Sequence, residues 1–317
     1  MSATLRLTRA AFGAVQRASP RLAALWAERI FCTPPRRPIS ERMAGWLREA
    51  QRFTVLVGGR RVAAWSWGER GPGVLLVHGW GSRGARFVDL GNGLLSQGYR
   101  VVTFDAPGHG ASAGRLSSGP EFARAAQAVV NAVGPVSHIV GHSLGGFASA
   151  LAMGRGLAVR RAAFLAPSAN VNSYSAQFEA LLRIDKPVMA SMRGRLERRL
   201  GFSWKDLNIP AFAPDMRVPL LVVHDRDDRE VGWNDGAAIA HSWPRSRARD
   251  DQRAGTSPDR ERSRRHPSGC NVPRPSLSAL SGRGSRLHVV AWLKSANQTK
   301  SVPSPKSPTG SGGAGSR

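Results

Sequence analysis

Cysteine, lysine and acidic side chains are scarce in this chain, and long apolar runs are missing. Two cysteines, Cys32 and Cys270, stand in 317 residues. They cannot build a disulfide framework, so a reducing, cytoplasmic setting is expected. No stretch approaches the ~20 apolar residues that cross a bilayer. Near the N-terminus, Gln16 and Arg17 interrupt the apolar segment that a secretory leader would need unbroken. Asp and Glu total 21 against 46 Lys and Arg, a formal net charge of +25. Arginine dominates that excess and is scattered singly, without the interleaved aromatics of a nucleic-acid stripe, so nucleic acid is not the expected partner. What the chain does hold is 41% hydrophobic residues, enough for a sizeable core and too many for wholesale disorder.

The texture changes along the chain. Residues 1–52 form a basic N-terminal extension, in which 1–30 read as one amphipathic helix. Leu5, Phe12, Val15, Leu22, Leu25 and Trp26 lie among arginines there, with no acid before Glu28. Such a helix packs on the body or makes weak contact with an anionic membrane surface. The run Cys32-Thr33-Pro34-Pro35-Arg36-Arg37-Pro38 ends it. From residue 53, two short β-like runs joined by Gly58-Gly59 give a hairpin. Apolar, β-branched runs then recur at Val74–Val77, Val101–Phe104, His138–Val140, Ala162–Leu165 and Leu220–Val223, each ending near a Gly, Asp or Pro. Runs of that kind are buried on both faces, as in a parallel sheet. The helix-like segments Phe87–Leu95, Pro120–Val133 and Phe147–Met153 alternate with them, which predicts a doubly wound, mostly parallel α/β sheet.

Residues 53–167 therefore read as the first part of a core and 218–244 as its second part. The segment 168–217 is too long for a connection. Its apolar residues recur at helical spacing, which predicts a small helical cap over the sheet's carboxyl edge, where open α/β sheets bind ligands. Residues 245–317 carry 15 basic and 4 acidic side chains with no strand-like run before the brief patch Leu287–Leu293. That segment is expected to be largely disordered, and the sheet to lack its last strand.

One motif carries chemistry. Gly141-His142-Ser143-Leu144-Gly145 fits the nucleophile-elbow pattern G-x-S-x-G, follows the strand His138-Ile139-Val140 and opens a helix. A serine on that bend has its hydroxyl thrust outward, and the flanking glycines let backbones approach closely. The new helix aims its first N–H groups at any developing oxyanion. No clustered His/Cys spacing and no G-x-G-x-x-G after a first strand occur, so neither metal nor organic cofactor is expected.

With these residues in order, the stretch 53–244 resembles the α/β-hydrolase fold family. His78-Gly79-Trp80-Gly81 is similar to the family's oxyanion turn, and Asp105-Ala106-Pro107-Gly108-His109-Gly110-Ala111-Ser112 to its D-x-x-G-x-G-x-S loop. The resemblance implies a serine hydrolase acting on a small-molecule acyl substrate, a carboxylic ester or relative. In it Ser143 is the nucleophile and the Trp80 and Leu144 N–H groups form the oxyanion hole. Asp228, at the end of Leu221-Val222-Val223-His224-Asp225-Arg226-Asp227-Asp228, implies the triad acid, with Asp227 one residue out of register.

The family's chain order puts the histidine after the acid, where only His241, His266 and His288 remain. His241 sits on a helix too early for a last strand, and His288 opens an apolar patch. His266 is carried forward as the candidate, although no strand precedes it. Loss of the histidine would favour a non-catalytic binding protein, or a basic membrane-surface binder; lipase, thioesterase and cofactor-free haloperoxidase chemistry are rivals within the fold. With synonymous codons freely chosen, residues 245–263 read one nucleotide later can give GAALVTTSGLGHHRIVSDP, a strand followed by a Gly-x-Gly-His turn. A frame shift near Pro244 would put that histidine where Thr256 stands; sequencing across the codon decides, and an unbroken frame sinks the idea.

Overall fold

The computed structural model describes residues 3–250 and 283–295. Eight strands form one sheet: β1 Gln51–Val57, β2 Arg60–Trp67, β3 Gly73–Val77, β4 Arg100–Phe104, β5 His138–His142, β6 Arg161–Leu165, β7 Leu220–His224 and β8 Ser246–Asp250. Their spatial order is β1-β2-β4-β3-β5-β6-β7-β8. The β1–β2 and β2–β4 pairs are antiparallel and the other neighbours parallel. The expected doubly wound, mostly parallel α/β sheet is therefore present. Alternation along β3 separates two cores: Leu75 and Val77 face one, Val74 and Leu76 the other.

The first core is covered by α5 Gly119–Val133 and α6 Leu144–Gly154, the second by α3 Glu41–Arg48 and α4 Val88–Leu95. Between β6 and β7 the chain forms α7 Asn172–Leu182, α8 Lys186–Leu200 and the short α9 Ile209–Phe212. Met189, Met192 and Leu196 of α8 are buried in the first core. A tenth helix, α10 Trp233–Ser242, precedes β8. Among the described residues no helix is long and apolar enough to cross a membrane.

Three sequence expectations need correction. The last strand is not missing: β8 runs parallel to β7, with Leu220 opposite Ser246 and His224 opposite Asp250. Its sequence, Ser-Arg-Ala-Arg-Asp, hides it because among the described residues it is an edge strand, paired on one side and exposed at Arg247, Ala248 and Arg249. Charged edges of that kind discourage pairing with other chains. The patch at Leu287–Leu293 is a helix, α11 Arg283–Lys294, and not the start of a strand. Val289 and Leu293, four apart, bury one face of it in the second core, where it packs on α4. The reading of 245–317 as one unstructured segment thus fails at both places; His266 and Thr256 lie outside the described residues.

The third correction concerns the N-terminus, which forms two helices, α1 Ala3–Ala18 and α2 Pro20–Phe31. Ser19 adopts extended backbone and its side chain accepts from the Leu22 N–H, while Pro20 occupies the first helical turn. This is an N-cap followed by proline, a combination that starts a new helix. The pair docks on the insertion between β6 and β7. Phe12, Ala23, Ala24 and Ala27 are buried, Phe12 lying 5.3 Å from Trp26 between ring centroids. The Arg9 guanidinium donates to the Leu181 carbonyl and Gln16 to that of Arg183. Glu28 is buried and accepts from Arg195 at 2.8 Å and Arg199 at 2.9 Å, both on α8.

Removing the Glu28 charge leaves two arginines facing each other across a docked helix. Those arginines are about one-third exposed, so solvent screens part of the loss. Glu28→Gln is expected to lower stability by about 1–2 kcal/mol and to speed proteolysis within residues 32–38. Urea titration and limited trypsin digestion measure the two effects.

Candidate active site

The site is built where β5 ends and α6 begins. Ser143 holds φ 52° and ψ −121°, a positive-φ conformation unusual for a residue with a side chain. It is fixed from both sides: its N–H donates to the Leu165 carbonyl at 2.9 Å, and its carbonyl accepts from Gly146 at 3.0 Å. The two motif glycines are demanded by packing. A Cβ on Gly141 would come 2.5 Å from the Gly145 carbonyl oxygen, and one on Gly145 would collide with that of Val77. Strand β3 and the first turn of α6 therefore touch backbone to backbone. Helix α6 is buried from Gly145 to Met153, and Ser143 at its N-terminus keeps partial access to solvent.

The turn after β3 abuts this bend. A Cβ on Gly79 would lie 3.1 Å from the Ser143 Cβ and 3.0 Å from the His142 Nδ1. Among the described residues, neither the Trp80 nor the Leu144 N–H has a hydrogen-bond partner. Two neutral histidines brace the turn. His78 Nε2 accepts from the Ala106 N–H at 2.9 Å, which leaves its Nδ1 to donate to the Gly79 carbonyl at 2.7 Å. His109 Nε2 accepts from the Gly81 N–H at 3.1 Å, and its Nδ1 donates to Pro107 at 3.0 Å. Both roles require uncharged imidazoles. Burial pushes His78 down to about 4 and His109 to about 3. Asp105 closes the same loop, accepting from the Gly84 and Ala111 N–H groups, each at 2.8 Å.

The acid candidates separate by burial. Asp227 is exposed, and its N–H donates to Asp225. The Asp228 side chain is 1% exposed, and its Oδ1 accepts from Glu230 at 2.9 Å and Val231 at 3.2 Å. Its Oδ2 lies 4.0 Å from His224 Nε2, which is 2.8 Å from the Val231 carbonyl. His142 also senses this carboxylate. Burial lowers its pKa to about 4, the Arg86 guanidinium adds to that, and Asp228 opposes it.

No spacing rule signals His142 as a neighbour of Asp228, because it comes from the end of β5, whereas His224 ends β7 four residues before that acid. Both are buried, and both nitrogens of His142 and the Nδ1 of His224 lack hydrogen-bond partners among the described residues. Among those same residues no histidine hydrogen-bonds to the Ser143 hydroxyl. His241 is exposed on α10, and His288 sits on α11 in the second core's helix layer. Among the described residues no three His, Cys, Asp or Glu side chains converge as metal ligands.

Residues 74–296 match the family model described as "Alpha/beta hydrolase family". No curated protein matches the chain. Among solved structures, one described as a membrane phospholipase A, a novel bacterial virulence factor, is 16% identical with a TM-score of 0.58. The match covers 93% of this chain and 98% of that one. A putative lipase from Acinetobacter baumannii AYE is 15% identical with a TM-score of 0.57, over 83% of this chain and 99% of that one. The ferulic-acid-bound Est1E from Butyrivibrio proteoclasticus is 18% identical with a TM-score of 0.52, over 62% and 88%. At these identities the likeness is one of fold.

Two outcomes follow from the geometry. Gly145→Ala should cost more than about 4 kcal/mol or abolish soluble expression, since its Cβ meets backbone that cannot move cheaply. Gly134→Ala, at positive φ but in open space, should cost only about 1–3 kcal/mol; urea midpoints compare them. The second outcome concerns pH. His78, His109, His138 and His142 all have lowered pKa values in the fold, so between pH 6.5 and 5 the unfolded chain takes up protons that the folded one refuses. Stability should therefore rise with pH across that window, measured as a urea midpoint that falls from pH 7 to pH 5.

Proposed function

The chain belongs to the alpha/beta hydrolase family, and on that premise we propose that it is a serine hydrolase of carboxylic esters or related acyl compounds, with Ser143 as the nucleophile. The observation that carries this reading is the conformation of Ser143 itself. A side-chain-bearing residue is held at φ 52° on a strand-to-helix bend, beside two amides with no partner among the described residues. Backbone strain of that kind costs about 1–3 kcal/mol and persists where surrounding structure overrides it, commonly at reactive sites.

In the proposed cycle the Ser143 Oγ attacks the acyl carbonyl and a histidine takes its proton. The negative charge that develops on the carbonyl oxygen falls to the Trp80 and Leu144 N–H groups, placed by the braced turn and by the first turn of α6. The protonated histidine returns its proton to the leaving alcohol or thiol, and water then releases the acid from the acyl-enzyme by the same route. Asp228 is the carboxylate proposed to orient the histidine. Its burial and two backbone donors support that role over Asp227, which solvent surrounds. His266 remains the histidine candidate from chain order.

A fluorophosphonate probe and a series of p-nitrophenyl esters test the proposal. The probe should modify the peptide containing Ser143, and Ser143→Ala should abolish both labelling and turnover, a loss of roughly 10⁴–10⁶ in kcat. Asp228→Asn should reduce kcat by about 10⁴, and Asp227→Asn should leave it within about twofold. An unchanged rate in His266→Ala removes that histidine from the scheme. A Ser143 that resists the probe while the chain is folded overturns the assignment as a whole.

A further inference from the structure

The N-terminal helices bury one face against the body and leave another that the proposed chemistry does not use. On α1, Ala3, Leu7, Ala10, Ala14 and Ala18 recur at intervals of three and four and are all exposed, so they share one outward stripe. On α2, Leu22 and Leu25 are exposed as well. Leu7, Leu22 and Leu25 are 77%, 59% and 43% accessible, three of the most exposed large apolar side chains among the described residues. Arg6 and Arg17 border the stripe on α1, and Arg21 and Arg29 flank the leucines on α2; all four are exposed. The first 40 residues hold seven arginines and a single acid, Glu28. That acid is buried and tied to Arg195 and Arg199, so it contributes no repulsion toward an anion outside.

We infer that the outer face of α1 and α2 docks onto an anionic phospholipid surface, with the leucines entering the headgroup boundary and the arginines pairing with lipid phosphates. An apolar stripe edged by arginine and free of outward acid is the pattern that lies in a membrane interface. The attraction is worth about 1 kcal/mol per arginine near such a surface, or roughly fivefold in affinity for each. The opposite face cannot serve, because Phe12, Ala23 and Ala27 are already buried against the fold. A second copy of the chain fits poorly, since a two-fold contact would bring the same arginines together. The segment 296–317 fits no better, as it holds Lys300, Lys306 and Arg317 and no acid.

The full chain should be tested by flotation with vesicles of phosphatidylcholine alone, or of phosphatidylcholine and phosphatidylglycerol in equal parts. The wild-type chain should float with the mixed vesicles and bind the neutral ones at least tenfold more weakly. Leu7→Ser/Leu22→Ser/Leu25→Ser keeps every charge and alters only exposed side chains, so its fold should be retained by circular dichroism. It should bind the mixed vesicles at least threefold more weakly than wild type. Arg6→Gln/Arg17→Gln/Arg21→Gln/Arg29→Gln should weaken binding by at least tenfold. Both variants should label with fluorophosphonate as the wild type does, which keeps this test separate from that of Ser143. The inference is overturned by no binding to mixed vesicles, by neutral vesicles bound as well, or by a smaller loss in either variant, the last assigning the attraction to the remaining positive surface. Vesicle-independent dimers dissolved by the leucine variant overturn it too, in favour of a self-contact.

Discussion

At the crossing of β3, β5 and α6 the chain packs backbone against backbone, and the rest of the site is arranged around that contact. With no Cβ at Gly141 or Gly145, the first turn of α6 sits directly on the end of β3. The price is Ser143, forced to positive φ. The strain survives because α6 is buried along almost its whole length and Ser143 is pinned by Leu165 and Gly146. Relaxing the serine would mean lifting a buried helix off the sheet, which costs far more than the strain itself. A reactive side chain is thus held in place by the burial of residues that never meet a substrate.

The same economy of buried polar groups runs through the turns beside it. Three loops meet at the carboxyl edge of the sheet, and each exposes amides and carbonyls that helices or strands would otherwise satisfy. His78 and His109 each give one nitrogen to an N–H and the other to a carbonyl, joining the turn after β3 to the loop after β4. Asp105 accepts from Gly84 after β3 and from Ala111 in its own loop, and Ser112 accepts from Ala63 on β2. Only neutral imidazoles can bridge in this way, since a protonated ring has two donors and no acceptor. Burial supplies the neutrality, so the low pKa values of these histidines belong to a structural device. His142 is lowered by the same burial yet lacks such partners, and the bracing argument does not extend to it.

How much was legible in the sequence follows from this physics. Strands β3, β5 and β7 are buried along their whole length, so they read as continuous apolar runs and set the sheet without ambiguity. The strand-to-helix bend at Ser143 was legible because its glycines are required by contact. Strand β8 was not, since an edge strand of arginines carries no hydrophobic signature. Among the described side chains of helix α11, Val289 and Leu293 are fully buried, too short a pattern to separate helix from strand. The break between α1 and α2 is written in Ser19-Pro20, which the longer amphipathic repeat overlies. The approach of His142 to Asp228 joins parts of the chain far apart in sequence, which no local pattern encodes, whereas His224 stands only four residues before that carboxylate.

Acid placement explains how so basic a chain keeps an ordered interior. Glu28 holds α2 to α8, Glu121 pairs with Arg60 on β2, and Asp89 on α4 takes Arg42 and Arg286. Asp105, Asp228 and Asp235 accept backbone N–H groups. Each of these carboxylates joins segments distant in sequence or closes a loop, and none of that work could be given to the abundant arginines, which cannot accept a hydrogen bond. Burial takes Glu28, Asp105 and Glu121 off the surface, while Glu41, Glu49, Glu69, Asp185, Asp206, Asp215 and Asp227 stay exposed. The outer field is positive because basic side chains outnumber acids 46 to 21, and it acts over about a Debye length, ~8–10 Å near physiological salt. Internal cohesion therefore rests on a few carboxylates set where a segment needs an acceptor, and outward charge rests on the arginines that outnumber them.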